Sequence, residues 1–233
     1  MTVIKTEQLT KDYGSGDTAV RALNSVDLEV ESGELVAVTG PSGCGKSTLL
    51  QLLGGLDSPT SGKIWLEDTD LASLNDDEIT LMRRRRIGFI FQFFNLIPVL
   101  TAGENVALPL VLDGVAPAVA NEKARGWMEK MGIGNRWSHR PSEMSGGQQQ
   151  RVAVSRALVT DPAIILGDEP TGNLDSKATD DLIGVLQNIC SEYNRTILMV
   201  THDPRMTDHA SRVINMMDGQ ILPPVDEHRG AAS

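Results

Sequence analysis

One stretch of the sequence restricts the fold more than any other: Gly40 to Thr48, which reads GPSGCGKST. A nearly continuous apolar run, Leu35 to Val38, comes before it, and a helix-like segment, Lys46 to Leu53, overlaps its end. Continuous apolar runs are typical of strands covered on both faces of a sheet. A buried strand, a loop of the form G-x-x-x-x-G-K followed by serine or threonine, and then a helix predict a phosphate-binding loop. A glycine-rich turn before an ordinary helix is the alternative, and it leaves this order of parts unexplained.

The chemistry of this loop follows from its geometry. Glycines allow successive backbone N–H groups to turn inward around a β-phosphate, and the N-terminus of the following helix adds its positive end. Lys46 is predicted to neutralise the β- and γ-phosphates, and the Ser47 hydroxyl to ligate Mg²⁺. The loop residues predicted to contact a nucleoside triphosphate are Gly40, Pro41, Ser42, Gly43, Cys44, Gly45, Lys46, Ser47 and Thr48.

A second candidate site follows another apolar run. Ala163 to Glu169 reads AIILGDE and ends on two carboxylates. An acidic pair after a strand is commonly only the start of a loop. With a phosphate-binding loop upstream, it suggests that Asp168 organises Mg²⁺ through water and that Glu169 is the general base that polarises the attacking water. The catalytic loop of a protein kinase and the N-K-x-D motif of a GTPase do not occur in the sequence.

The rest of the pattern predicts an α/β fold. Thr196 to His202 is a further run of the buried parallel-strand type, and Ser176 to Tyr193 reads as an amphipathic helix. Apolar strands that alternate with helices favour a parallel sheet. Residues 1–39 read as short strands with turns and predict a smaller antiparallel lobe. Asp218-Gly219 predicts a final hairpin.

A helical pattern covers residues 101–131, where TAGE is a capping-box signature and the glycine of MEKMG is in the C-capping position. A helical subdomain, about residues 95–160, is therefore expected to be inserted into the α/β core. The whole domain is expected to span residues 1–222. The remaining residues, 223–233, have the composition of a disordered tail.

Composition restricts the partners. The formal net charge of −10 works against binding nucleic acid or an anionic membrane surface, so nucleic acid is not an expected partner. Cys44 and Cys190 provide no disulfide framework. The N-terminal residues lack the layout of a signal peptide, and no run approaches the roughly 18 to 20 apolar residues that span a membrane. A cytoplasmic location is expected, with any membrane-spanning part supplied by another polypeptide.

The segment Pro141 to Arg151, PSEMSGGQQQR, holds no residue that could run a reaction by itself. Its centre, MSGGQ, closely resembles the LSGGQ signature of ATP-binding-cassette ATPases, with Met144 where leucine is usual. Other motifs of that family occur in the family's order. By this resemblance Tyr13 matches the aromatic residue that stacks on adenine, and Gln92 matches the glutamine that senses Mg²⁺ and the γ-phosphate. His202 matches the histidine that contacts the γ-phosphate and orients the catalytic carboxylate.

The resemblance covers about residues 1–222 and implies a RecA-like P-loop NTPase core, an inserted α-helical subdomain and an antiparallel β-lobe. It also implies that two copies bind head to tail and sandwich two ATP molecules. The residues that would reach the neighbour's ATP are Ser145, Gly146, Gly147 and Gln148 of the signature and Asp175 of the segment GNLDS. The implied catalytic residues are Lys46, Glu169 and His202, and the implied Mg²⁺ ligands are Ser47, Gln92 and Asp168. Ser145 is expected to cap the helix that follows it.

Finer detail resembles the branch of lipoprotein-release, macrolide-export and cell-division cassettes. The segments that carry this likeness are residues 81–110, residues 139–158 and GDEPTGNLDS, residues 167–176. The implied function is that of an ATP-hydrolysing subunit, held on the inner face of the cell membrane by a separately encoded membrane subunit. The alternative is a soluble or regulatory cassette that acts without transport.

Two surface features complete the sequence-based predictions. Phe93, Phe94, Leu96 and Ile97 form a local apolar cluster, of which about half is expected to pack in the core and the rest to form a groove for the membrane partner. The run of four cations at residues 83–86 is interpreted first as a solvated helix end and second as a group paired with acidic residues.

Overall fold

The computed structural model describes residues 1–223, apart from the side chain of Asp17. The predicted tail therefore lies, except for Pro223, outside the described residues. The strands are β1 (Thr2–Tyr13), β2 (Val20–Glu31), β3 (Leu35–Thr39), β4 (Ser61–Leu66), β5 (Thr69–Asp70), β6 (Ile87–Phe91), β7 (Ile164–Asp168), β8 (Thr196–Val200), β9 (Arg212–Met217) and β10 (Gln220–Ile221). The α-helices are α1 (Lys46–Leu53), α2 (Asp76–Arg86), α3 (Ala102–Leu112), α4 (Pro117–Lys130), α5 (Gly146–Leu158), α6 (Ser176–Tyr193) and α7 (Pro204–His209).

A six-stranded sheet forms the centre of the protein, in the order β10-β9-β3-β8-β7-β6. All neighbouring strands in it are parallel except β9 and β10, which form the predicted hairpin. Each face of the sheet has its own core. Val36 and Val38 of β3 pack on the face that holds Leu49 of α1, whereas Leu35 packs on the opposite face with Leu186 of α6. Coverage on both faces explains why these strands read as continuous apolar runs.

A second, four-stranded antiparallel sheet has the order β2-β1-β4-β5. The expectation of short strands here is wrong for β1 and β2, which are each 12 residues long. Irregularities in their pairing, for example at Gln8 (φ 46°) and Ser25 (φ 51°), interrupt the alternation of apolar and polar residues. A bulged strand therefore reads in sequence as several short ones.

A layer of three helices, α3, α4 and α5, packs through fully buried side chains such as Val106, Ala124, Met128 and Val152. The predicted capping box is present at the start of α3. The helical pattern over residues 101–131 is not one helix. It breaks after α3 at Gly114, whose φ is 82°, and α4 restarts with Pro117 in its first turn.

The four arginines form the last turn of α2, so the predicted helix end is confirmed, and their side chains are partly exposed. They are also tied to other elements, as the second interpretation expected. Arg83 donates to the carbonyl of Gly55 and Arg84 to that of Leu112, while Arg85 pairs with Asp113 and Arg86 with Glu67. The run thus ties α2 to the end of α3 and to the β-lobe. The predicted α/β fold, with its antiparallel lobe and its helical layer, is confirmed. Within the described residues, no helix combines the length and apolar character needed to cross a bilayer.

The close approach of α5 to β6 gives a test of the packing. A β-carbon on Gly88 would lie 2.4 Å from the carbonyl oxygen of Ala157, whereas a β-carbon on Gly126 of α4 meets nothing within 4 Å. Gly88→Ala is expected to lower the free energy of unfolding by about 1 to 3 kcal/mol because α5 must move. Gly126→Ala is expected to raise it by about 0.5 to 1 kcal/mol, since alanine is the better helix former. Urea unfolding of both variants measures this difference, and equal stabilities would contradict the packing.

Candidate functional site

The parallel register of the central sheet brings the predicted motifs to one edge. Val38 of β3 is opposite Val200 of β8, and Val200 is in turn opposite Asp168 of β7, which is opposite Phe91 of β6. The four segments that follow these strands therefore leave the same carboxyl edge of the sheet. Ligands bind at this edge in open α/β sheets.

The loop after β3 has the shape predicted for phosphate binding. Gly45 has a φ of 101°, and a β-carbon there would lie 2.3 Å from the carbonyl oxygen of Ala22, so only glycine fits. Lys46 begins α1, and its Nζ donates hydrogen bonds to the carbonyls of Gly40 (2.8 Å) and Pro41 (2.9 Å). Nζ is thus held over the loop where a polyphosphate would sit.

A pocket of about 440 Å³ lies over this loop. It is lined by Ala22, Gly40, Ser42, Gly43, Gly45, Lys46, Ser47, Thr48, Glu169 and His202. Of the residues predicted to contact Mg²⁺ or the ATP bound by their own chain, those that do not line it are Tyr13, Pro41, Cys44, Gln92 and Asp168. The Cys44 side chain is buried beneath the loop with only 4% exposed. The thiol therefore belongs to the packing of the loop.

Glu169 is held in a strained backbone conformation at the end of β7. Its φ is 46°, in the left-handed region that costs a residue with a side chain about 1 to 2 kcal/mol. Its N–H donates to the carbonyl of Val200 at 2.9 Å. The Oε1 atom of Glu169 lies 3.0 Å from Nδ1 of His202, which is hydrogen-bond distance. Strain of this kind persists where the surrounding structure enforces it, and it is concentrated at functional sites.

Asp168 is half-buried beside Glu169. Burial is the main cause that raises the pKa of the Asp168 carboxyl above its usual value, and the neighbouring charge of Glu169 adds to it. The Lys46 ammonium opposes both effects. A divalent cation beside Asp168 would offset the free-energy cost of burying its ionised carboxylate. Carboxylate, hydroxyl and amide oxygens are ligands that Mg²⁺ accepts. Asp168, Ser47 and Gln92 carry oxygen ligands of these types, and their role as ligands of Mg²⁺ stays a prediction.

Gln92 follows β6 and lies against the loop between β7 and α6. A β-carbon added to Gly172 would lie only 2.7 Å from Nε2 of Gln92, so the Gln92 side chain leaves room for nothing larger than glycine there. Its carbonyl accepts a hydrogen bond from Nδ2 of Asn173 at 2.8 Å. Asn173 gave no signal in the sequence analysis, because its partner is 81 residues away along the chain.

Tyr13 lies at the end of β1, paired with Val20 of β2. Its hydroxyl donates to Asp57 at 2.9 Å, and Nζ of Lys11 lies 4.9 Å from the centre of its ring. The ring is 39% exposed. A stacking role on adenine stays a prediction.

The signature segment forms a second pocket of about 470 Å³. Ser145 caps α5 in a capping box: its hydroxyl accepts from the N–H of Gln148, and the Gln148 amide oxygen accepts from the N–H of Ser145. The predicted cap is confirmed. Asp175 caps α6 by accepting from the N–H of Ala178 at 2.8 Å. Two helix N-termini therefore line the same pocket and attract an anion there.

The pocket at the signature segment also holds cations that the sequence analysis missed. Arg136, Arg151 and Lys177 line it together with Ser145, Gly146, Gly147, Gln148, Asn173 and Asp175. Two of these cations stand next to predicted residues: Lys177 is two residues after Asp175, and Arg151 ends the signature segment. Arg136 is brought to the pocket by the fold of the helical layer. The two pockets have no lining residue in common.

A third cavity, a groove of about 420 Å³, lies between α2, α3, α5 and β6. Its lining includes the apolar side chains of Phe89, Phe91, Leu108, Pro109 and Leu112. Beyond β6, Phe93 and Ile97 are exposed, whereas Phe94 and Leu96 are half-buried. Leu96 packs against the core from its half-buried position, and none of the four side chains is fully buried. The expectation that about half of this cluster would pack in the core is therefore met only in part.

Comparison with known proteins places these features in a family. The family model described as "ABC transporter" matches residues 23–172. The macrolide export ATP-binding/permease protein MacB of Hyphomonas neptunium is 46% identical over 99% of this chain, which spans only 36% of that protein. An uncharacterized ABC transporter ATP-binding protein of Methanocaldococcus jannaschii, MJ1508, is 44% identical and matches over 94% of this chain and 98% of its own length.

Solved structures give the same result. A dimeric structure of the ATP-binding cassette MJ0796, in a post-hydrolysis state bound to ADP and Pi, is 40% identical with a TM-score of 0.85. The match covers 94% of this chain and 97% of that one. A structure of cbiO1 from Clostridium perfringens, part of the transporter complex cbiONQ, is 26% identical with a TM-score of 0.86, over 95% of this chain and 87% of that one.

The raised pKa of Asp168 has a consequence for stability. Ionisation costs more in the folded state than in the unfolded chain, so stability is lost as the pH rises through the raised pKa. In EDTA at pH 7, Asp168→Asn is therefore expected to have a melting temperature at or above that of the parental protein. This difference in melting temperature between Asp168→Asn and the parental protein should vanish below about pH 3.9, the ordinary pKa of aspartate, because both side chains are then uncharged.

Asp203 is the matched control for this measurement. Its hydrogen bond from Arg205 lowers the pKa of the carboxyl, so Asp203→Asn should reduce the melting temperature at pH 7. Thermal unfolding followed by circular dichroism gives both values. An Asp168→Asn variant less stable than Asp203→Asn would contradict the assignment.

Proposed function

The chain belongs to the ABC transporter family of ATP-binding cassettes, and we propose that it is an ATP-hydrolysing subunit that couples closure of a cassette dimer to a separately encoded membrane subunit. The observation that carries this proposal is the convergence of the Lys46 loop, Glu169 and His202 on one pocket at the edge of one sheet. The cargo would be moved by the membrane subunit.

The reaction would be in-line attack of water on the γ-phosphate. The Glu169 carboxylate, held by the hydrogen bond at His202 Nδ1, would accept a proton from that water and orient it. Lys46 Nζ would exchange its two loop carbonyls for phosphate oxygens and stabilise the negative charge that grows on them. Asp168, Ser47 and Gln92 would hold Mg²⁺, which, when bound, neutralises charge on the β- and γ-phosphates.

A second copy of the chain is part of this proposal. The pocket at the Lys46 loop would provide a lysine and a general base. The separate pocket at the signature segment is lined by two helix N-termini, by three cations and by the carboxylates of Asp175 and Asp181. In a head-to-tail dimer the Ser145–Gln148 segment and Asp175 would face the γ-phosphate of the ATP bound by the other copy. MJ0796, described as dimeric, supports this arrangement, and ATP between the copies would act as the switch that closes them.

The membrane subunit would dock on the groove beside β6. Phe93, which is 72% exposed, stands in the sequence between Phe91 and Asn95, and both of these residues line the groove. The MacB relative bears both "ATP-binding" and "permease" in its name, and this chain spans only about a third of it. Export, lipoprotein release or mechanical transmission by a partner of this kind is the output that we propose, on the cytoplasmic face of the cell membrane.

Glu169→Gln tests the hydrolytic assignment. The amide cannot accept the proton of water, so the rate of phosphate release should fall by about 100-fold or more. Affinity for ATP should stay within a factor of about two, because the carboxylate is not part of the phosphate-binding loop. Phosphate release and filter binding give both quantities. Glu192→Gln, an exposed position on α6, is the control and should behave as the parental protein. Parental turnover by Glu169→Gln would contradict the assignment.

Phe93→Asp tests the docking surface. A carboxylate in the apolar contact would be desolvated without a partner, so the fraction of the protein that sediments with native membranes should fall by about tenfold or more. ATP binding should not change. Val20→Asp is the control, since Val20 is 64% exposed on the β-lobe. Equal membrane retention of the two variants would contradict docking at Phe93.

A further inference from the structure

Arg156, near the end of α5, reaches from the signature helix to the loop after Gln92. Its Nη1 donates to the carbonyl of Asn95 at 2.5 Å and its Nη2 to the carbonyl of Phe94 at 2.8 Å. Burial lowers the pKa of this guanidinium below its ordinary value. None of the ion pairs found among the described residues involves Arg156, and two backbone carbonyls accept the hydrogen bonds of this half-buried cation.

The loop that Arg156 holds is in an unfavourable conformation. Phe94 and Asn95 are consecutive residues with φ values of 61° and 48°. The left-handed region is disfavoured for residues with side chains, and two such residues in succession turn their carbonyls out of any regular pattern of backbone hydrogen bonds. Segments of this kind persist only when contacts from outside enforce them. The bidentate contact from Arg156 is such a contact.

The same loop lies beside both nucleotide-related segments. A β-carbon added to Gly146, at the N-terminus of α5, would lie 3.7 Å from the ring of Phe94, so the ring faces this end of the helix. The carbonyl of Gln92 is held by Asn173, which lines the pocket at the signature segment. Arg156 and Asn95 also line the groove that we assign to the membrane partner. One side chain therefore fixes a loop that lies between the groove, Gln92 and the signature segment.

We propose that Arg156 is a positioning residue that holds the 92–95 loop. Through this contact, a shift of the loop would displace both Gln92 and the N-terminus of α5. The inference deepens the proposed function, since it names the side chain through which the groove is linked to the ATP site. Arg156 acts through the loop and does not touch the nucleotide.

The first test is amide hydrogen exchange of Arg156→Gln, measured on the full chain without nucleotide. Glutamine is too short to hold both carbonyls, so exchange over residues 92–97 should accelerate by about tenfold or more. Exchange over residues 145–148 should accelerate as well, since the Phe94 ring no longer packs there. Arg212→Gln is the matched control: Arg212 also donates to a backbone carbonyl, that of Glu29, and to Glu34. It should change neither segment.

The second test separates positioning from packing. Arg156→Gln should lower kcat for ATP hydrolysis by about tenfold or more while the Kd for ATP stays within a factor of about two. Arg156→Lys, which can donate to one of the two carbonyls, should be intermediate in kcat and in exchange. Arg212→Gln should lose thermal stability only.

Three results would overturn the inference: acceleration confined to residues 92–97 with parental kcat, an Arg156→Lys variant equal to the parental protein, or equal kcat for Arg156→Gln and Arg212→Gln. Should Arg156→Gln fail to fold, Arg156→Lys carries the test. A parental protein that does not hydrolyse ATP would contradict the proposed function instead, and the exchange result would still decide the structural link.

Discussion

The parallel register of β3, β8, β7 and β6 is the constraint on which the candidate site depends. Each strand is covered on both faces, so its sequence is mostly apolar, and the candidate functional residues stand at the ends of the strands or in the segments that follow them. The pairing of Asp168 with Val200 sets the distance between Glu169 and His202, and the hydrogen bond from the Glu169 N–H to the Val200 carbonyl turns the carboxylate toward the pocket. A slip of one residue would send these side chains to different sides of the sheet.

Helix α5 connects parts of the molecule that belong to different steps of the proposed reaction. Its N-terminus forms the pocket at the signature segment. Gln150, fully buried, donates to the carbonyl of Pro170 at 2.7 Å, directly after Glu169. Arg156 holds the loop beyond Gln92. A rotation of α5 relative to the sheet would therefore act on the general base and on the proposed partner-facing loop together, which gives closure of a dimer a mechanical route to both.

The parts of the structure that follow from local sequence were predicted well. The phosphate-binding loop, the cap at Ser145 and the strand before Asp168 each depend on residues within one short segment. The lengths of β1 and β2 were missed because bulges interrupt their alternation, and the break between α3 and α4 was missed although Gly114 and Pro117 were visible signals.

Contacts between distant segments could not be predicted from the residues alone. Asn173 meets Gln92 across 81 residues and Arg156 meets Phe94 across 62, and neither partner shows a local pattern. The arginines of α2 looked solvated because their acceptors, among them Glu67 and Asp113, lie on other elements. For the loop contacts and for the α2 arginines alike, the bonding partner is brought close by the tertiary fold. Sequence periodicity predicts the helix or strand to which a residue belongs, but not its partner on another element.

We propose that the signature segment completes the ATP site of a second copy of the chain. Analytical ultracentrifugation, with and without ATP, of Glu169→Gln and of the double variant Ser145→Arg/Glu169→Gln tests this, together with the affinities of both variants for ATP. Glu169→Gln is expected to sediment as a dimer only with ATP. The double variant should bind ATP as tightly and remain a monomer. Loss of ATP binding by the monomeric double variant, or an ATP-dependent dimer that survives Ser145→Arg, would contradict it.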